Sequence, residues 1–386
     1  MNNKKKVLFV NHTSLMGGAE FCLYEYLLNS NLLKEEGVEC GFLTFSPGHF
    51  LNKIEDGRIK KILVDFDSVL AKQKRKLNIL SLFTLLFNAP RFIKNVRRII
   101  KKYDVIYCNT LKSYIIISMA CMFNKKKIIL HLHDALSKRV FSTAVLKTIK
   151  LLSLINRPYI ISNSEFSLNC YKHAGGYYQH EEVIPNGIIC ADNFNQGNTI
   201  LSEKIIKILS LGRISPWKGQ LNVLKAIRQL EHVELRIVGS PLFGEMDYHE
   251  ELKSFVIENK LQNRVFFYDY TTELEPHFRW ADILIHSSIE DEPFGRVIIE
   301  GLYHGKVVIV TDGGGATEII KKKTGIGILV GKNKIEEIVY AIQEVDLNRD
   351  KYREAVIAVP DYIREEYDII VISKKTDDFI NEVINE

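Results

Sequence analysis

The residues best suited to chemistry in this chain of 386 amino acids lie in one run, Glu290-Asp291-Glu292-Pro293-Phe294-Gly295-Arg296-Val297-Ile298-Ile299-Glu300. It follows an apolar stretch at 283–286 that reads as a β-strand, and Pro293 and Gly295 suit a turn into a helix starting at Arg296. The first turn of a helix carries backbone N–H groups without intrahelical partners and a partial positive charge, a natural seat for a diphosphate. Glu300 shares a face with Arg296 and Val297, where a carboxylate can accept hydrogen bonds from ribose hydroxyls. Glu292, ahead of the helix, can reach past the phosphates towards a sugar. The bland alternative is a solvated acidic loop capping a helix.

Three further runs follow predicted strands. Gly212-Arg213-Ile214-Ser215-Pro216-Trp217-Lys218-Gly219 offers two cations, Arg213 and Lys218, which can stabilise a departing diphosphate; two surface cations flanking a turn are the alternative. Asn11-His12-Thr13-Ser14-Leu15-Met16-Gly17-Gly18-Ala19-Glu20 lacks the GxGxxG spacing of a dinucleotide fingerprint, but Gly17 and Gly18 let a ligand approach the backbone closely. His131-Leu132-His133-Asp134 places only His133 past the strand end, as a structural histidine or a functional one. Asp65-Phe66-Asp67 spells a carboxylate pair of a metal-binding kind, but it reads as a loop. Two cations beside a diphosphate make a metal unnecessary, so none is expected.

These runs need strands to position them. Apolar, β-branched stretches at 7–10, 41–44, 61–64, 105–108, 128–131 and 159–162 alternate with helical patterns, as do those at 205–211, 234–238, 265–268, 283–286, 307–311 and 326–330. Continuous apolar strands separated by helices imply parallel sheets covered on both faces. The expectation is an α/β protein with two doubly wound, Rossmann-like domains facing a cleft, whose ligands bind beyond the carboxyl ends of the strands. The break falls at 183–202, around Pro185-Asn186-Gly187 and a polar loop at 192–199. This gives domains at 1–190 and 200–361, and a helical tail at 362–386 that can pack back on the first domain.

Charge is unevenly spread. Residues 1–185 hold 28 Lys and Arg against 14 Asp and Glu, whereas the remainder holds 24 against 33. A basic half suits an anionic partner or simply a solvated surface. The segment Arg91–Lys102 is basic on one side and apolar on the other, with Lys72–Lys76 adding charge. It reads either as a helix lying on an anionic membrane or as an ordinary helix packed on a sheet. The apolar stretches 77–87 and 114–123 are too short to span a bilayer, and the N-terminal Val7–Val10 run is too short for a signal peptide. Six scattered cysteines without a CxxC pair read as free thiols. A cytoplasmic protein, soluble or peripheral on the inner face of the membrane, is expected.

Together these motifs resemble the retaining GT-B glycosyltransferases of family 4, also called group 1, and among them bacterial surface-polysaccharide enzymes. The resemblance rests, in order, on Gly17-Gly18-Ala19-Glu20, His133-Asp134, Ser162-Asn163-Ser164 and Pro185-Asn186-Gly187. It continues with Gly212-Arg213 and Lys218-Gly219, Glu292-Pro293-Phe294-Gly295 through Glu300, and Asp312-Gly313-Gly314-Gly315 with Glu318. It implies a nucleotide-sugar donor held mainly by the second domain, a UDP-sugar ahead of a GDP-sugar, and transfer to a glycan or lipid-linked acceptor in capsule, lipopolysaccharide or other surface-polysaccharide synthesis. It also implies that Glu292 contacts the donor sugar, Glu300 the ribose, and Arg213 with Lys218 the diphosphate. The amides of Phe294, Gly295, Arg296, Val297, Gly17 and Gly18 would support phosphate and sugar, and His133 would meet the sugar. Asn109 and Thr110 are acceptor-side candidates. Ile188 after Pro-Asn-Gly, Gly301 after the second Glu, and the run Gly314-Gly315-Ala316-Thr317-Glu318 depart from the family pattern.

Two rival readings differ in class. One is a GT-B epimerase or phosphorylase. The other is a non-catalytic nucleic-acid-binding protein exploiting the basic half, but no zinc motif or RNA-recognition signature is present and no nucleic-acid partner is expected.

Overall fold

The computed structural model describes residues 4–65, 90–122, 125–191, 201, 204–242, 244–323 and 325–386. The readings at Phe66-Asp67, Lys72–Lys76, 77–87, Phe123 and 192–199 lie outside them. The chain divides into two units, residues 1–187 with 369–386, and residues 188–368.

In the first unit β1 (Lys5–Asn11), β2 (Val38–Thr44), β3 (Ile59–Leu63), β4 (Val105–Cys108), β5 (Lys127–Leu132), β6 (Tyr159–Ser162) and β7 (Glu181–Val183) form one parallel sheet in the order β3-β2-β1-β4-β5-β6-β7. Helices α1 (Gly18–Asn29), α2 (His49–Lys53), α3 (Pro90–Ile100), α4 (Leu111–Cys121), α5 (Thr143–Asn156) and α6 (Glu165–His173) connect them. The central strands are buried along their length, as in Val105-Ile106-Tyr107-Cys108, because helices cover both faces. Sequence order reverses between β1 and β4, where Val7 pairs with Val105. At such a reversal the loops after the two strands diverge and leave a crevice beyond their carboxyl ends.

The second unit repeats the plan. Strands β8 (Ile206–Leu211), β9 (Val233–Val238), β10 (Val265–Tyr268), β11 (Ile283–His286), β12 (Val307–Thr311) and β13 (Gly327–Val330) take the order β10-β9-β8-β11-β12-β13, all parallel. The reversal lies between β8 and β11. Helices α7 (Gln220–Ile227), α8 (Met246–Glu258), α9 (Glu275–Trp280), α10 (Arg296–Tyr303), α11 (Gly315–Lys322), α12 (Ile335–Leu347), α13 (Arg349–Ile357) and α14 (Val359–Tyr367) complete it, and α15 (Ile369–Asn385) returns to the first unit. None of the described helices is long and apolar enough to cross a membrane.

Two details differ from the sequence reading. β7 was not anticipated, because its Glu-Glu-Val sequence lacks an apolar run; as a short edge strand it needs none. The tail is not one helix from 362. Residues 359–367 belong to the second unit, and Asp368 is extended, bridging to Ile188, whose N–H donates to Tyr367 O at 2.9 Å. Asp368 therefore separates α14 from α15.

α15 is integral to the first unit. Ile372, Phe379, Ile380, Val383 and Ile384 join the core formed by β1, β2 and α1. Within that core the buried Asp377 carboxylate accepts from Tyr26 Oη and Ser30 Oγ at 2.7 Å, from Asn31 N at 2.8 Å and from Leu32 N at 3.2 Å. Burial and Asp377 together push the Tyr26 hydroxyl well up from its ordinary pKa. Asp377→Ala should destabilise the first unit by about 3 kcal/mol, since four donors lose a charged acceptor. Urea unfolding of the full chain followed through first-unit probes measures it, and an unchanged midpoint would remove this role.

Candidate functional site

In the second unit the candidate residues gather at the carboxyl ends of β8 and β11. The loop after β8 is bound to the loop after β11, because Ser287 Oγ donates to Lys218 O at 2.9 Å and Ile289 N–H to Trp217 O at 2.8 Å. Gly219, with φ of 70°, permits this: a Cβ there would lie 2.1 Å from the Ser287 carbonyl oxygen. The Glu292 backbone is held from the other side. It bridges to Gly314, and Gly315 N–H donates to its carbonyl at 2.8 Å. At Gly314, φ of 68°, a Cβ would stand 2.2 Å from Glu292 O.

This arrangement aims three groups at one carboxylate oxygen. Glu292 Oε2 lies 2.6 Å from Lys218 Nζ, 3.1 Å from Ser288 Oγ and 3.3 Å from His286 Nε2. Burial alone would raise the Glu292 carboxyl, but the Lys218 ammonium and the His286 imidazole hold it well below the usual carboxylate range. The charge is thus kept where water is largely excluded. Arg213 Nε lies 3.6 Å from Glu245 Oε2, and Glu245 Oε1 accepts from Ser215 Oγ at 2.7 Å. The Trp217 ring lies between the cations, 4.1 Å from Lys218 Nζ and 5.7 Å from the Arg213 guanidinium carbon.

Helix α10 begins at Arg296 with Gly295, φ 96°, as its N-cap. Phe294 is buried and packs against Tyr367 with ring centroids 6.3 Å apart, fixing the turn. The first-turn amides of Arg296 and Val297 have no acceptor one turn back within the helix. Arg296 Nε lies 3.1 Å from Glu300 Oε1, so the face-sharing expected of this pair appears as an ion pair. Lys332 pairs with Asp291 in the same loop.

In the first unit the candidates lie at the carboxyl ends of β1, β4 and β5. Gly17 is the N-cap of α1, and its N–H donates to Glu20 Oε2 at 3.2 Å. His133 follows β5 directly; its Nε2 lies 3.1 Å from Asn109 Oδ1, and its ring stands 3.9 Å from that of His131. Burial pushes the His133 imidazole down to about 3. His12 Nδ1 meets Thr110 Oγ1 at 3.0 Å, and burial followed by Lys112 lowers that ring also to about 3. Burial raises the Glu20 carboxyl despite the hydrogen bonds from Asn11 and Gly17. No cluster of three or more His, Cys, Asp or Glu suited to a metal occurs among the described residues, and Asp65 lies just beyond β3.

Glu292, Lys218, Arg213, Glu300 and His133 were singled out in the sequence, whereas the contacts from His286, Trp217 and Glu245 were not. His286 was read only as the last residue of a strand, and Trp217 was given no role. A histidine ending a strand immediately before an acidic loop was the available signal for the first. Glu245 carries none, because its approach to Arg213 depends on the loop ahead of α8.

Residues 192–358 match the model of the family described as Glycosyl transferases group 1. The matched residues lie within the second unit and span most of it. The lipopolysaccharide 1,2-N-acetylglucosaminetransferase of Salmonella typhimurium is 28% identical over 154 residues, 36% of this chain and 40% of that protein. An uncharacterized glycosyltransferase of Methanocaldococcus jannaschii is 28% identical over 153 residues, 39% of this chain and 38% of that protein. The match thus spans about two fifths of each curated relative. Anabaena HepE, solved in complex with UDP and glucose, superposes with a TM-score of 0.80 at 25% identity, covering 98% of this chain and 99% of that one. Sucrose-phosphate synthase of Thermosynechococcus elongatus shares the fold, with a TM-score of 0.79 at 17% identity over 99% of this chain and all of that one. The two-sheet α/β architecture is that of GT-B glycosyltransferases.

The low position of Glu292 is a property of its neighbours. A depressed carboxyl adds stability above its unfolded value near 4.5 and loses it as pH falls through the folded value. Lys218→Met should move the Glu292 titration upward by about one unit or more, read by carboxyl-carbon NMR, and so narrow the acid range over which the group stabilises the fold. An unmoved titration would assign the shift to His286 instead.

Proposed function

We propose that this protein is a retaining glycosyltransferase of family 4 that moves a sugar from a UDP-sugar to a glycan or lipid-linked acceptor in surface-polysaccharide synthesis. The observation that carries the reading is the convergence of Glu292, Lys218, Arg213 and the start of α10 beyond β8 and β11, where the strand order reverses. The group 1 match, and the relatives acting in lipopolysaccharide synthesis or bound to UDP and glucose, support it.

The diphosphate sits against the amides of Phe294 to Val297, with Arg213 and Lys218 balancing its charge. Glu300 accepts from the ribose, exchanging its contact with Arg296. Glu292 accepts from the sugar hydroxyls, and in the first unit His133 and the amides of Gly17 and Gly18 are suited to a sugar's hydroxyls. The bond from the anomeric carbon to the diphosphate oxygen breaks and the acceptor oxygen bonds to the same face of that carbon. The leaving phosphate takes the acceptor proton. The two fixed cations supply the charge stabilisation that a metal gives elsewhere, so turnover should persist in EDTA. Glu292→Ala should lower turnover by on the order of 100-fold or more with the fold intact, followed as UDP release with donor and acceptor present. Near-normal turnover would remove the assigned role.

The first unit also bears a surface suited to an anionic bilayer. Helices α3, α4 and α5 pack side by side over one core and contain no Asp or Glu. α3 exposes Arg91, Lys94 and Arg98, and α5 exposes Lys147 and Lys150 beside an apolar ridge of Leu151, Leu154 and Ile155, 58%, 46% and 48% exposed. Basic residues around exposed leucines match headgroups over acyl chains. In this proposal α3 turns Phe92, Val96 and Ile100 into the core while its exposed cations face the bilayer. The protein should sediment with phosphatidylglycerol vesicles and be released by salt, and Lys94→Glu with Arg98→Glu should weaken binding about tenfold. Equal binding to neutral vesicles would count against an anionic surface.

A further inference from the structure

Asn11 and Asn109 are both 0% exposed, so each amide must find its partners within the protein. The chemistry of those partners fixes which way each amide points. Asn109 Nδ2 lies 3.1 Å from the carbonyl oxygen of Ala19, which can only accept, and 3.1 Å from Asn11 Oδ1. Asn11 is oriented the same way: its Nδ2 lies 2.7 Å from Thr13 O and 3.1 Å from Glu20 Oε1. The second Glu20 oxygen accepts from Gly17 N–H, so the series is anchored at the start of α1. What is left of Asn109 is Oδ1, which lies 3.1 Å from His133 Nε2. An amide oxygen has no hydrogen to give, so this bond forms only when Nε2 carries one.

We propose that Asn109, held by Asn11 and the Glu20 carboxylate, is a positioning residue that locks His133 in its Nε2–H form, so that Nδ1 presents a lone pair and accepts a hydrogen bond from a substrate hydroxyl. The burial that keeps the imidazole neutral agrees with this assignment. Orientation of a functional histidine through its second nitrogen is a general device. Here the orienting group is a neutral amide rather than a carboxylate. The Glu20 charge stays two residues away, and the ring is oriented without an anion that would favour its protonation. The hydroxyl's owner, a sugar, follows from the proposed transferase reading, whereas the tautomer requires no ligand.

The test uses the ligand-free full chain labelled with 15N-histidine, and the His133 ring is assigned by its loss in His133→Gln. Long-range 1H–15N correlations should show a single protonated nitrogen, Nε2, whose hydrogen exchanges slowly with water. Asn109→Ala should abolish that protection, and Asn109→Asp, which keeps an acceptor, should restore it. A wild-type ring protonated at Nδ1 overturns the proposal, as does an Nε2 hydrogen in fast exchange or one unchanged in Asn109→Ala. Should the alanine variant fail to fold, the wild-type spectrum decides alone. These results stand apart from the Glu292→Ala turnover measurement, so either idea can fail without the other.

Discussion

A carboxylate removed from water must have its charge balanced by the fold around it, and Glu292 meets this demand through a lysine, a histidine and a serine directed at one oxygen. The three come from different places: Lys218 from the loop after β8, His286 from the end of β11, and Ser288 from the loop leading out of it. Their convergence requires β8 and β11 to be neighbours, which only the reversed strand order provides. It also requires two backbones to touch at Gly219 and Gly314 more closely than any side chain allows. Sheet topology, glycine placement and carboxylate chemistry are therefore three aspects of one constraint.

The first unit solves a related problem with neutral groups. Beyond β1, β4 and β5, side-chain amides rather than ion pairs connect Glu20 to His133. Amides transmit direction without transmitting much charge. The ring is oriented while burial keeps it unprotonated, a state suited to contacting uncharged hydroxyls. The second unit's cations suit an anionic group, so the two units differ in their electrostatics as well as in their sequences.

Much of this was legible in the sequence because the strands are buried on both faces. Such strands read as short uninterrupted apolar runs, and the boundaries at 105–108, 159–162, 265–268, 283–286 and 307–311 agree with the structure. The candidate residues were legible for the same reason: each follows a strand. Side-chain pairing was not. The Arg213–Glu245 and Lys332–Asp291 contacts join residues distant in sequence, and nothing in either segment indicates the other. β7 escaped because an edge strand of two glutamates and a valine has no periodic signal. The break at Asp368 escaped because the apolar spacing of Ile363, Tyr367 and Ile370 runs through it, and the interruption comes from the bridge to Ile188.

That interruption bears on the order in which the molecule is made. Residues 188–368 are contiguous, so this unit has its whole sequence available once the ribosome has passed Asp368. The first unit does not, because α15, which supplies Phe379 and Ile380 to its core and Asp377 to its buried donors, follows the whole of the second unit in the sequence. The nascent N-terminal region therefore waits with an apolar surface uncovered while the later-encoded unit can already close. Vectorial synthesis and completion of the fold run in opposite directions along this chain.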